Sequence, residues 1–202
     1  MEKSRKAKKI VLIVLLLLVI GLTIGFAAFV SELTISSSAT VEGNANNFKV
    51  AFSESATEVT GSTSTIGGNA TAGGTFSGTA LSGLKAEFTA PGQTATWTVY
   101  AYNDGQFDAF LNDVTIGSIT GKAGDGTTQS YVDEAVKGIS ISVKVGGASY
   151  SQTTTGLTSH KLEQGTGEEI IVTLTYAADS AIADGDFTVN IGDIKLNYES
   201  VD

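Results

Sequence analysis

The sequence predicts an all-β sandwich with one short surface helix, preceded by an N-terminal apolar signal or transmembrane helix. Three observations carry this. Apolar residues recur with period two in several separate runs, and Gly, Pro, Asn and Asp separate those runs at short intervals. A charge-free stretch of 21 residues, Ile10–Val30, follows a basic start.

The start comes first. Met1–Lys9 carries Lys3, Arg5, Lys6, Lys8 and Lys9 against Glu2 alone. A basic region, an apolar region and a small-residue site make a signal peptide. Gly25-Phe26-Ala27 puts small residues at the −3 and −1 positions, so the expected cut falls between Ala27 and Ala28. The apolar run is also long enough for an uncleaved anchor, since about 18 apolar residues span a bilayer. The positive-inside rule would then leave the N-terminus in the cytoplasm. The expected organisation is a signal peptide over 1–27, an N-terminal donor or edge strand over 28–46, and a β-sandwich over 47–202. Contact with membrane is expected only through residues 10–30, before cleavage. Asn197–Asp202 brings no second apolar run and no sorting motif.

Charge and composition narrow the function. The chain has 202 residues, with 12 Lys+Arg and 21 Asp+Glu. Five of the basic residues and one acidic residue precede Ala28, which leaves 7 and 20, a net charge of −13. Arg5 is the single arginine. Nucleic acid is therefore not expected as a partner, because phosphate binding needs clustered Lys and Arg. The same charge balance argues against docking on anionic headgroups. Cysteine is absent, which removes disulfides, thiolate metal sites and cysteine nucleophiles. One histidine, His160, cannot build an imidazole zinc site or support the usual triads.

The elements follow in chain order. Strands are expected at Phe48–Phe52 and Leu84–Phe88. Between them, 61–83 is a Gly/Ser/Thr-rich stretch with isolated Ile66, Phe76 and Leu81, expected to be a mobile loop or a ragged edge strand. Pro91-Gly92 fits a tight turn. Thr94–Tyr102 then sets Ala95, Trp97, Val99 and Ala101 on one face. Asn103-Asp104-Gly105 is expected to connect a hairpin. A strand is expected at Ala109–Ile119. Ser130–Gly138 is expected as the short helix, with Ser130 capping, Asp133 three residues on, Tyr131 packed inward and Gly138 at C′. Ile139–Val145 aligns Ile139, Ile141, Val143 and Val145, and Gly146-Gly147 turns the chain toward Tyr150. Glu169–Tyr176 aligns Ile170, Val172, Leu174 and Tyr176. Near the end, Phe187, Val189 and Ile191 alternate, and Ile194, Leu196 and Tyr198 continue after a phase change that suggests a bulge at Gly192.

Catalytic tools are scarce. His160 is expected to be a lone surface histidine, and no H-E-x-x-H is present. Ser82-Gly83-Leu84-Lys85 matches S-x-x-K without the companion motifs of an acyl-enzyme site. Gly117–Lys122 is one residue short of a P-loop and is followed by Ala123. Glu168-Glu169 is expected to be a solvated strand start. Asp179, Asp184 and Asp186 share one loop and are the weak calcium candidates, with turn formation the simpler reading. Asn69-Ala70-Thr71 is a formal glycosylation sequon. No catalytic residue, no cofactor and no firm metal site are expected.

The segment after the cleavage site says more. Phe29, Leu33 and Ile35 share one face of an extended stretch, with Ser31 between them, and Val30, Glu32 and Thr34 take the other. Ser36-Ser37-Ser38 is a polar link. Such a strand can fold back as an edge of its own sandwich, add to the edge of a neighbour, or stay disordered. An addition to a neighbour does not close on itself and builds a head-to-tail filament.

At these residues the chain resembles a known family. The apolar signal ending Gly25-Phe26-Ala27-Ala28-Phe29 is similar to the SipW-dependent signals of exported Gram-positive proteins. Thr40-Val41-Glu42-Gly43-Asn44 followed by Phe48–Phe52, and Pro91-Gly92-Gln93 followed by Trp97–Gly105 and Asp108–Leu111, resemble the TasA/camelysin-like biofilm matrix proteins. The resemblance implies a jelly-roll-like sandwich, cleavage by a signal peptidase, and a secreted location in the extracellular matrix or at the cell surface. It also implies a homo-oligomer built by donor-strand exchange, with Phe29, Leu33 and Ile35 as inserting side chains. The expected function is thus a structural fibre subunit, not an enzyme. The alternative is a secreted or tethered binding module for glycans or surface proteins, in which Tyr100, Tyr102 and Tyr150 stack sugars.

Overall fold

The computed structural model describes residues 48–58, 60–61 and 63–200. The signal segment, the cleavage residues Ala27 and Ala28, and the donor residues Phe29, Leu33 and Ile35 lie outside the described residues.

Two antiparallel sheets pack face to face. The strands are β1 (Val50–Ser53), β2 (Thr65–Gly68), β3 (Ala70–Ser77), β4 (Ala80–Phe88), β5 (Thr94–Asn103), β6 (Ala109–Ile116) and β7 (Ile119–Ala123). After the helix α1 (Gln129–Val136) come β8 (Ile139–Val145), β9 (Ala148–Tyr150), β10 (His160–Leu162), β11 (Gly167–Tyr176), β12 (Phe187–Ile191) and β13 (Ile194–Ser200). One sheet runs β1-β5-β11-β8-β9, with β2 also on β5 beyond β1. The other runs β10-β6-β13-β4-β12-β7, with β3 on the free side of β4.

Alternation decides which side chains fill the space between the sheets. On β5, Ala95, Trp97, Val99 and Ala101 are fully buried, and their registered partners on β11 include Val172 opposite Trp97. Ile170, Val172, Leu174 and Tyr176 lie buried on β11, as do Val189, Ile194, Leu196 and Tyr198 on the facing sheet. Phe88, Tyr176 and Phe187 form an aromatic cluster with centroids 5.8–6.3 Å apart.

Several expectations are corrected. Of the two alternatives for the Gly/Ser/Thr-rich stretch, the mobile loop is replaced by edge strand: β2 and β3, each paired on one side only, turn a corner at Asn69 and carry the chain from one sheet to the other. Asn103-Asp104-Gly105 is an arch between sheets, not a hairpin, because β5 and β6 belong to different sheets. Asn103 is buried there and works as a hub, donating to the carbonyls of Phe107 and Leu162 and accepting from the Gly105 N–H. The expected strand Ala109–Ile119 divides into β6 and β7, and within Gly117–Lys122 the residues Ile119–Lys122 pair with β12 while Gly117 and Ser118 link the two strands. At Gly192 the phase change falls where two segments of the chain, around Gly117 and Gly192, meet closely. A Cβ on Gly117 would stand 2.4 Å from the Gly192 carbonyl carbon, so both backbones cross where neither has a side chain. The register shift itself falls at Asn197/Tyr198, where Asn112 is the extra residue of β6.

The helix is present with different anchoring. Its N-cap is Thr128, without a side-chain cap, so Ser130 and Asp133 form no capping box. Val132 and Ala135 are buried while Tyr131 is exposed. Gly121 makes room for Val132 and Val136. Gly138 is needed for closeness to Ser180, not for a left-handed cap.

Candidate functional site

Strand parity aims three polar side chains into one end of the sandwich. Glu168 is two residues before Ile170 on β11, His160 two before Leu162 on β10, and Tyr198 two after Leu196 on β13. Each therefore points the way its buried neighbour does. Glu168 belongs to one sheet, His160 and Tyr198 to the other. The Tyr198 hydroxyl donates to Glu168 Oε1 at 2.7 Å, and His160 Nε2 bonds Glu168 Oε2. The His160 and Glu168 side chains are only 22% and 12% exposed. Burial pushes the Tyr198 hydroxyl well above the ordinary tyrosine value, and the charge and hydrogen bond of Glu168 add to the shift.

This corrects two expectations. Glu168 is not a solvated strand start, although its neighbour Glu169 is exposed. His160 is not a lone surface group but half-buried and bonded. The signal was in the sequence: the phase of Ile170 and Val172, extended two residues back, lands on Glu168. Chemically, both carboxylate oxygens are engaged with protein partners, so the trio is a brace between sheets and aims no free base or nucleophile outward.

The other candidates are scattered. Ser82 and Lys85 lie on β4, where Ser82 faces Thr75 across the β3 pairing and Lys85 is exposed. Asp184 Oδ1 accepts the Thr128 N–H at 2.9 Å and so anchors the start of α1. That bond holds its carboxyl below the ordinary value. Asp179 and Asp186 are exposed. Among the described residues no three His, Cys, Asp or Glu side chains gather as a metal site would require. Tyr100 and Tyr102 share the outer face of β5, near Glu169, while Tyr150 lies on the edge strand β9.

A lowered carboxyl pKa stabilises the fold above its unfolded value and ceases to as pH falls through the folded one. Asp184→Ala should therefore lower the melting temperature at pH 7. The difference from wild type should shrink as pH falls toward 3.8 and below. Circular dichroism melts across that range check this, and a constant difference would mean the carboxylate charge plays no part.

No family model matches the chain, and no curated protein or solved structure matches it either.

Proposed function

We propose that the chain is an exported structural subunit that polymerises into extracellular matrix fibres through its N-terminal segment, in the manner of the TasA/camelysin-like proteins it resembles. The observation that carries this is the apolar-faced, strand-like segment that precedes the described domain in the sequence. The core of the described domain is drawn from Phe52 to Tyr198, packed by the sandwich's own strands. In the sequence, Phe29, Leu33 and Ile35 give the segment that precedes this domain one apolar face, the pattern of a strand that can add to a neighbour's sheet edge. The cysteine-free sequence and the engagement of Glu168 with Tyr198 and His160 between the sheets fit a structural task. The repeated crossing between sheets, from β2 to β3, β4 to β5, β5 to β6, β7 to β8, β9 to β10, β10 to β11 and β11 to β12, is compatible with the jelly-roll-like form the resemblance implies. The subunit would be cut by a signal peptidase after Ala27 and act outside the cell.

The test is negative-stain electron microscopy of the chain from Ala28 onward, beside a truncation starting at Ala45. At −13, like charges oppose assembly at neutral pH, so mildly acidic pH or added salt should favour filaments. Filaments from the longer protein and none from the shorter are expected. Filaments from both would sink the donor-strand mechanism. Monodisperse particles from both would favour the binding module, for which Tyr100 and Tyr102 on one outer face are the supporting observation.

A further inference from the structure

We infer that the free half of the β8 edge, Ile139–Ser142, receives residues Glu32–Ile35 of a second copy as an added antiparallel strand. This rests on the fibre reading above and names the surface that reading needs.

On one side β8 pairs with β11 along its whole length, Ile139 to Val145. On the other, β9 covers only Val143, Lys144 and Val145. Among the described residues no backbone hydrogen bond outside the β11 ladder reaches Ile139–Ser142. In an antiparallel strand alternate residues turn their N–H and C=O outward, so this half leaves donors and acceptors for another strand. The core is also less sealed here than at most of its positions. Most buried apolar side chains are 0–3% exposed, whereas Ile139 and Ile141 stand at 7% and 8%. An added strand with apolar residues two apart would cover both.

The edges at β1, β7, β6 and β10 are occupied or guarded. Phe52 on β1 donates to the Gly78 carbonyl. The β7 edge carries α1, and β6 is covered by Thr154, Leu157 and β10. On β10, Lys161 pairs with Asp108 at 2.8 Å, and a charged edge of three residues resists strand addition.

Chain length and position identify the occupant. The described chain begins at Phe48, and Val50 pairs with Asn103 at one pole of the sandwich. Ile139 pairs with Tyr176 at the opposite pole. Stacked head to tail, the Phe48 pole of one copy faces the Ile139 pole of the next. Residues 36–47 then span up to about 40 Å, ample for the crossing. Entering from that pole, the segment runs antiparallel to β8. Ile35 then lies opposite Ile139, Leu33 opposite Ile141, and Thr34 opposite Ser140 on the outer face. The start of β9 limits the pairing to these positions. Exposed Tyr131 and Ile182 flank the same pole and offer further apolar surface.

The absence of cysteine gives a clean test. Facing residues of paired strands have Cβ atoms about 4.5–5.5 Å apart, close enough for a disulfide to form with slight adjustment. Proteins starting at Ala28 and carrying Thr34→Cys or Ser140→Cys are mixed and mildly oxidised. The mixture should give a covalent dimer well above the level of either variant alone, and the double variant should give a ladder on a non-reducing gel. Thr34→Cys with Ser149→Cys, on β9, is the comparison and should give little. A fast-migrating internal disulfide in the double variant, with no mixed dimer, would overturn the proposal in favour of self-pairing. Filaments by microscopy with no cross-link at Ser140 would overturn this edge and leave the fibre reading standing. Absence of filaments from the unmodified protein would remove both.

Discussion

Trp97→Ala is expected to destabilise the domain by about 3–5 kcal/mol, the usual cost of removing a large aromatic from a close-packed core. The indole is fully buried at the middle of β5, opposite Val172. It also does something a smaller apolar residue cannot. Its Nε1–H donates to the Ala72 carbonyl at 2.8 Å, and Ala72 lies on β3, in the other sheet. Truncation would therefore open a cavity and release the Gly-rich strand from its anchor. Trp97→Phe separates the two effects, since it keeps most of the volume and loses the hydrogen bond. Its expected cost is about 1–2 kcal/mol. Urea unfolding monitored by circular dichroism measures both, with an unchanged slope in denaturant showing that the native state keeps its extent. A loss below about 1 kcal/mol for Trp97→Ala would mean that the sheets close over the site, and that the indole is not the pin of this core. Domains of this size are generally stable by about 5–15 kcal/mol, so the full expected loss is readily measured.

That hydrogen bond also explains which parts of the fold the sequence revealed. The strands with strict alternation were legible: Thr94–Tyr102, Ile139–Val145 and Glu169–Tyr176 correspond to β5, β8 and β11 within about two residues at each end. Period two fixes the inward face, and the inward residues are the buried ones. The 61–83 stretch hid its strands because glycine and threonine leave almost no apolar pattern. Its order comes from distant partners: Trp97 on Ala72, Phe76 against Phe52 at 6.0 Å, and Leu81 fully buried. The helix was visible but its anchor was not, because Thr128 is held by Asp184, 56 positions away. The brace was half visible. Tyr198 falls in phase, while the charge of Glu168 argues for solvent and its phase points inward. A carboxylate in phase with a buried face calls for a partner, and here two partners converge from strands remote in sequence.

Glu168→Ala is expected to cost about 2–3 kcal/mol, because it leaves the Tyr198 hydroxyl buried with no acceptor and removes the partner of His160. Tyr198→Phe in the intact background should cost less, about 1 kcal/mol, since it removes the donor and leaves the carboxylate bonded to His160. If the two residues act as a pair, the double variant should cost less than the sum by about 1 kcal/mol, and additivity would argue against a shared brace. The pH dependence gives an independent check. Tyr198 has its hydroxyl pKa raised in the folded state. Its contribution is complete below the unfolded tyrosine value of about 10 and is lost as pH climbs through the folded value. Stability should thus decline on the alkaline side. Tyr198→Phe should flatten that decline without abolishing it, because burial also raises Tyr176, partly offset by the Ala183 backbone N–H. An alkaline limb identical in wild type and Tyr198→Phe would show that the hydroxyl titrates as freely folded as unfolded. The brace would then place no demand on the protonation of Tyr198, and the two sheets would be joined at this end by apolar packing alone.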